Sequence, residues 1–260
     1  MFELEKVAVI RDQRSILQIE HLQIPTDQLT VVLGHNGSGK STLVNLLSNQ
    51  LAPEQGTVLL NQQPLTTYRA KPWARQVAFL PQQLPDVAGL TVRELVRLGR
   101  YPWRGAFGRW NAEDNEKIDA ALEATKMTGY ADMQASQLSG GERQRAWIAM
   151  LLAQQSDVLI LDEPTSALDI RHQYQVMQLL ASLNQQFGKG IIVILHDLNL
   201  ALKFAQHVVA LTQGQVAFHG PADLLADPAR LAALYATPIE LIDHPYQPHQ
   251  VAIICEHTLS

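Results

Sequence analysis

The sequence has almost no cysteine: Cys255 stands alone among 260 residues. No internal disulfide can form, and the chain suits a reducing compartment. Excess basic charge is missing too, since 20 Lys and Arg against 25 Asp and Glu give a formal net charge of −5. That argues against nucleic acid as the main partner, because phosphate backbones select basic surfaces. The longest wholly apolar run, "AWIAMLLA" at 146–153, falls far short of the roughly 20 residues needed to cross a bilayer. The opening "MFELEKVAVI" puts acids ahead of its apolar run and has no basic leader. These absences predict a soluble, cytosolic chain; at a membrane, other chains would do the spanning. Repeats and low-complexity tracts are also absent.

With 47% hydrophobic and 17% charged residues, the chain can build one compact core, or one core carrying an inserted subdomain. Three apolar runs, "TVVL" (30–33), "VLIL" (158–161) and "IIVIL" (191–195), are rich in β-branched residues and do not alternate. Such runs suit parallel strands covered on both faces. Each ends at a polar or glycine-rich segment, where open α/β sheets bind ligands. "VAVI", "ILQI", "TVLL" (57–60) and "VAFL" (77–80) read as further strands, some in an antiparallel flap. From about Leu84 to Leu152 the pattern turns helical. Thr91 and Glu94 form a capping-box pair there, and a helix capped at Asn111 is expected to stop at Gly129. The last forty residues suggest one short helix and an appended tail.

"GHNGSGKST" spans Gly34, His35, Asn36, Gly37, Ser38, Gly39, Lys40, Ser41 and Thr42. It fits a phosphate-binding loop between a strand and a helix, in which backbone N–H groups wrap phosphates. Lys40 would reach the β- and γ-phosphates, and the Ser41 hydroxyl would ligate Mg²⁺. "VLILDEP" places Asp162 and Glu163 just past a strand. An Asp-Glu pair alone is more often a solvated turn or a cap. Beside a phosphate loop it reads as a metal ligand, Asp162, and a general base, Glu163. His196, at the end of the third run, suits a γ-phosphate contact or switch. Gln82, after "VAFLP", would report γ-phosphate and magnesium.

"QLSGGERQR" (137–145) combines a Ser139/Glu142 capping box with Gly140 and Gly141. Each helical glycine costs on the order of 1 kcal/mol relative to alanine. Glycines at a helix start commonly let phosphate approach bare N–H groups, which poses the question of a second phosphate surface in one chain.

Together "GHNGSGKST", Gln82, "LSGGERQR", "LILDEPTSALD" and "ILHD" resemble, in order and spacing, the ATP-binding cassette (ABC) ATPases, over nearly the whole chain. The resemblance implies an α/β P-loop NTPase with a RecA-like parallel core, an N-terminal antiparallel β subdomain and an inserted helical subdomain. It divides the chain into a core (1–83 and 153–220), the insert with the signature (84–152) and a tail (221–260). It also implies ATP and Mg²⁺, the latter on Ser41, Gln82 and Asp162. In that family two chains pair head to tail, and Ser139, Gly140 and Gly141 of one would contact ATP on the phosphate loop of the other. Asp169 would lie at that dimer interface.

The family commonly stacks adenine on an aromatic residue; the aligned position here is Arg11, whose guanidinium plane can also stack. The spacing of His244, His249, Cys255 and His257 fits no common zinc pattern, and "VAIIC" reads as a strand or core piece. The aromatic run "RYPWRGAFGRW" (100–110) suits a partner-facing loop better than stacked bases. Among cassette proteins, the fuller segments look most like importer ATPases for iron–siderophore complexes, haem and vitamin B12, with hydroxamate siderophores nearest. That likeness implies integral membrane permease subunits, with residues 84–105 facing them. It also implies an indirect partner in a periplasmic or surface substrate-binding protein, and a peripheral place on the cytoplasmic face of the inner membrane. The alternatives are an importer ATPase for haem or vitamin B12 and, ranked below it, a soluble cassette ATPase with no transport role.

Overall fold

A computed structural model describes residues 1–104 and 109–255. The chain divides into two compact units, Met1–Thr67 with Ile192–Ser260, and Tyr68–Ile191. The first unit begins with β1 (Phe2–Arg11), β2 (Arg14–Ile24), β3 (Leu29–Leu33), α1 (Lys40–Leu47), β4 (Gln55–Leu60) and β5 (Gln63–Pro64). The second holds α2 (Ala70–Gln76), β6 (Val77–Leu80), α3 (Val92–Leu98), α4 (Tyr101–Arg104), α5 (Ala112–Ala124), α6 (Gly140–Ala153), β7 (Val158–Leu161) and α7 (Ile170–Phe187). β8 (Gly190–Ile194) returns the chain to the first unit. There follow α8 (Leu198–Phe204), β9 (His207–Thr212), β10 (Gln215–Pro221), α9 (Pro228–Tyr235), β11 (Ile239–Asp243) and β12 (Gln250–Ile254).

In the first unit an antiparallel sheet runs β2-β1-β4-β5. Asp12 and Gln13, with φ of 48° and 61°, join β1 to β2. Paired positive values are those of a type I′ turn, whose twist matches the strands it joins. Both strands alternate, burying Phe2, Leu4, Val7 and Val9 beside Leu17, Ile19, Leu22 and Ile24, as a sheet with one covered face requires. β3 runs parallel to β9, and β10 antiparallel to β9. Every residue of β3 and of β8 is buried, in line with the non-alternating runs. β9 and β10 are strands that the apolar runs did not single out. The second of them alternates between exposed and half-buried residues along its length.

In the second unit "VAFL" forms β6, parallel to β7; it belongs to no flap. Thr91 and Glu94 make a complete capping box at α3, and Asn111 does the same with Asp114 at α5. α5 ends at Ala124, five residues short of Gly129. The cause is local: Lys126 takes φ 58°, Lys126 N–H donates to Glu123 O at 2.9 Å, and Met127 N–H to Leu122 O at 2.7 Å. These are the two bonds of a Schellman stop, here with lysine where glycine is usual. Buried Met127 supplies the apolar plug.

The aromatic run is packed around charge. Arg75 lies 4.5 Å over Trp103, and Arg97 and Arg104 lie 4.1 and 4.0 Å over Trp110. Buried Asp114 binds Arg100 at 3.1 Å and Arg104 at 3.3 Å. The indole faces are therefore occupied by guanidinium planes. Residues 105–108 of that run, and His257, lie outside the described residues.

Candidate nucleotide site

The phosphate loop follows the buried strand β3 in the first unit. Gly34 has φ 145°, and a Cβ there would meet Leu211 O at 2.3 Å and Ser38 Oγ at 2.5 Å, so only glycine lets the loop turn so close to β9. Gly39, with φ 101°, is the N-cap of α1 and offers no side-chain cap. The first turn of α1 contains no acid, and a helix start without a carboxylate is one that suits phosphate. Ser38 is fully buried with a hydroxyl that has no hydrogen-bond partner among the described residues. The Lys40 ammonium, itself buried, donates to Gly34 O at 2.8 Å and His35 O at 3.1 Å, which holds it against the loop. Ser41 is exposed, and Thr42 half-buried, on the same first turn.

In the second unit Asp162 and Glu163 follow β7. Asp162 is buried, and its N–H donates to Leu80 O at 2.9 Å, extending the pairing of β6 with β7 by one step. Glu163 takes φ 49°, a left-handed backbone that costs a residue with Cβ about 1–2 kcal/mol. Ser166 holds that conformation, donating to Glu163 O from its N–H at 3.2 Å and from its hydroxyl at 3.1 Å. Strain of this kind persists where the surroundings over-determine it, and it gathers at functional sites. Gln82 Nε2 donates to Glu163 Oε2 at 2.7 Å, so these two predicted site residues meet although 81 positions apart.

The signature helix α6 starts with the predicted box. Ser139 N–H and Oγ both donate to Glu142 Oε2, at 2.9 and 2.7 Å. These bonds, the Ser139 hydroxyl first, hold the Glu142 carboxyl below the ordinary glutamate range, with a further bond from Tyr130. Ser139 and Gly140 are exposed, whereas Gly141 is buried. A Cβ on Gly141 would lie 2.4 Å from the His172 ring. The glycine therefore has a packing reason of its own. His172 Nδ1 in turn meets Asp169 Oδ1 at 2.8 Å, and the same oxygen accepts the His172 N–H at 2.9 Å. Asp169 is the N-cap of α7, and the backbone bond from His172 lowers its carboxyl first, the ring second. His172 thus joins Asp169 to the signature, and it was not among the predicted site residues. A lone histidine early in an amphipathic helix gives no signal that would single it out.

In the first unit His196 is exposed just past β8. Asp197 behind it caps α8, accepting N–H bonds from Asn199 at 2.7 Å and Leu200 at 3.1 Å. Arg11 is exposed at the end of β1, opposite Arg14 across the hairpin. Ser41, Gln82 and Asp162 offer hydroxyl, amide and carboxylate oxygens, the hard donors that suit Mg²⁺. Among the described residues no group of three His, Cys, Asp or Glu is arranged to hold a metal ion.

A phosphate loop behind one buried strand and a strained Asp-Glu pair behind another are the marks of a P-loop ATPase. The family model described as ABC transporter matches residues 17–166, and the chain belongs to that family, as an ATPase coupled to transport. It is 39% identical over 241 residues to the iron(3+)-hydroxamate import ATP-binding protein of Bacillus subtilis, covering 93% of this chain and 90% of that one. It is 40% identical over 224 residues to the ferric enterobactin transport ATP-binding protein of Escherichia coli, covering 86% and 83%. Among solved structures, a dimeric ATP-binding cassette in a post-hydrolysis state with ADP and Pi superposes with a TM-score of 0.74. That match has 29% identity and covers 85% of this chain and 99% of the other. Among the described residues no helix is long and apolar enough to cross a membrane.

Proposed function

We propose that the chain is the ATP-hydrolysing subunit that energises import of a ferric siderophore, of the hydroxamate type, through separate membrane subunits. The catalytic part is carried by Glu163, a carboxylate held at φ 49° and bonded to Gln82 at 2.7 Å. The uncapped start of α1 and Lys40 take the phosphates of ATP, with the loop residues Gly34 to Thr42 around them. Glu163 orients and deprotonates the attacking water. His196 donates to the γ-phosphate, and Gln82 reports its presence. Ser41, Asp162 and the Gln82 amide oxygen hold Mg²⁺, which when bound neutralises charge on the phosphates.

Two chains pair head to tail, and the exposed Ser139–Gly140 start of α6 closes on ATP held by the partner subunit, with Gly141 and Asp169 behind it. Arg11, exposed at the end of β1, stacks its guanidinium plane on adenine. The helical insert, 84–152, passes closure to the permease subunits through residues 84–105, where Leu98 and Tyr101 are 51% and 55% exposed. The tail, 221–260, follows the core in sequence and belongs to the same compact unit as residues 1–67 and 192–220. The chain then sits on the cytoplasmic face of the inner membrane, and a separate binding protein delivers the siderophore. The hydroxamate reading is supported by the iron(3+)-hydroxamate import relative, which matches over 93% of this chain.

Pull-down of the tagged chain from gently solubilised membranes tests transport: a polytopic membrane protein is expected, and soluble partners alone would sink the reading. For the chemistry, Glu163→Gln is expected to keep ATP binding, lose about 100-fold or more of turnover and trap the dimer. Turnover at the wild-type rate would remove Glu163 as the base.

A further inference from the structure

α8 starts directly behind His196, and the C-terminal hairpin of β11 and β12 is fastened along it. Asn199 Oδ1 accepts the Ala252 N–H at 2.8 Å, and Asn199 Nδ2 donates to Ala252 O at 3.4 Å. Both ends of one carboxamide thus pair with the backbone of one β12 residue, as a neighbouring strand would. One turn on, Lys203 Nζ donates to Gln247 Oε1 at 2.8 Å, in the loop between β11 and β12. Residues four apart share a helix face, so the hairpin is held at two points along α8. Its loop is closed by His244 N–H donating to His249 O at 3.0 Å, with the two imidazoles 4.8 Å apart.

Asn199 is also tied to the switch segment by its own backbone, whose N–H donates to the Asp197 cap at 2.7 Å. His196 and β12 are therefore linked by a short series of bonds through Asp197 and Asn199. From α9, Tyr235 presents a buried hydroxyl with no hydrogen-bond partner among the described residues. Burial, and then the Asp197 charge, push that phenol up to about 12. A neutral group thus lies within the electrostatic reach of the carboxylate that caps α8.

We propose that the β11–β12 hairpin is a clasp that holds α8, and with it His196, in the position for ATP hydrolysis, with Asn199 as a positioning residue. This rests on His196 acting at the γ-phosphate, as proposed above. A two-stranded hairpin is marginal by itself, so the same bonds would also serve merely to hold the tail down. Turnover separates the two roles.

The test compares ATPase kinetics of the full chain for wild type, Asn199→Ala, Gln247→Ala, His196→Ala and the His196→Ala/Asn199→Ala double variant, with hydrogen exchange across 197–203. Asn199→Ala is expected to lower kcat roughly five- to tenfold, with KM for ATP within about twofold, and to speed exchange in α8. Gln247→Ala, which changes only the distal bond, is expected to lower kcat about twofold. His196→Ala is expected to be slow, and adding Asn199→Ala to it is expected to cost nothing further. An Asn199→Ala chain with a loosened hairpin and wild-type kcat overturns the clasp. Equal losses in both backgrounds overturn it too, because Asn199 then acts through something other than His196. A slow His196→Ala with a normal Asn199→Ala removes the clasp alone. A His196→Ala chain at full speed removes the switch role and the clasp together.

Discussion

α1 starts at Gly39, in left-handed backbone with no side-chain cap, whereas α6 starts at Ser139 with both halves of a capping box in place. Both starts carry glycines and both are assigned to phosphate. In α1 the N-cap is a glycine that offers no side-chain cap, and no acid stands in the first turn. In α6 a carboxylate already accepts the Ser139 N–H, and Gly141 is roofed by His172. The helix dipole favours an anion at either end, but Glu142 sets a negative charge against one at α6. On the proposed reading the first start binds phosphate alone. The second suits a weaker, later contact with phosphate already bound elsewhere, as a head-to-tail pair would supply.

Lys40→Ala tests the strong side of this contrast and carries the largest expected effect. ATP affinity of the single chain, read by fluorescent-nucleotide titration, is expected to fall about 100-fold or more, the scale of losing a charge-assisted phosphate clamp in a sheltered site. Unchanged affinity would remove the distinction between the two helix starts. Gly141→Ala addresses the packing of α6. Its Cβ would lie 2.4 Å from the His172 ring, so a stability loss of about 1–3 kcal/mol is expected in thermal or denaturant unfolding. His172→Ala in the same chain should recover most of that loss. Failure to recover would mean that Gly141 is needed for something other than room for the imidazole.

The smallest effect concerns Glu142. Its carboxyl is held below the ordinary glutamate value by Ser139 and Tyr130. A group depressed on folding stabilises the fold above its unfolded value, and that contribution is lost as pH falls through the folded value. Glu142→Gln should therefore lower Tm slightly at neutral pH, where that contribution is present, and flatten the acid side of the plot of Tm against pH, the two chains converging as pH falls. The group is largely solvated, so screening keeps the effect small. An unaltered acid slope would show that the carboxylate contributes nothing to the cap.

Much of this was legible in the sequence because the signals are local. The phosphate loop needs Gly34, Gly39 and Lys40 at fixed spacing, and buried parallel strands announce themselves as runs such as "VLIL". Capping boxes at Thr91 and Ser139 are read from residues three apart. Other features depend on distant partners. Gln82 meets Glu163 across 81 positions, and Asn199 meets Ala252 across 53. His172 gains meaning only once α7 is laid against Gly141. α5 stops early because Lys126 accepts a left-handed backbone, which no propensity scale favours for lysine. "VAIIC" is a strand as read, yet Ile253 and Ile254, on opposite faces of β12, are 42% and 72% exposed, so neither face is fully covered at that end of the two-stranded hairpin.

The most direct measurement is ATP affinity of the isolated Ser139→Arg chain, taken with its ATP-driven pairing by light scattering. If α6 acts on ATP held by a partner subunit, monomer affinity stays within about twofold of wild type and pairing disappears. A Ser139→Arg monomer that binds ATP tenfold or more weakly would contradict the account, because the signature would then serve the nucleotide of its own chain.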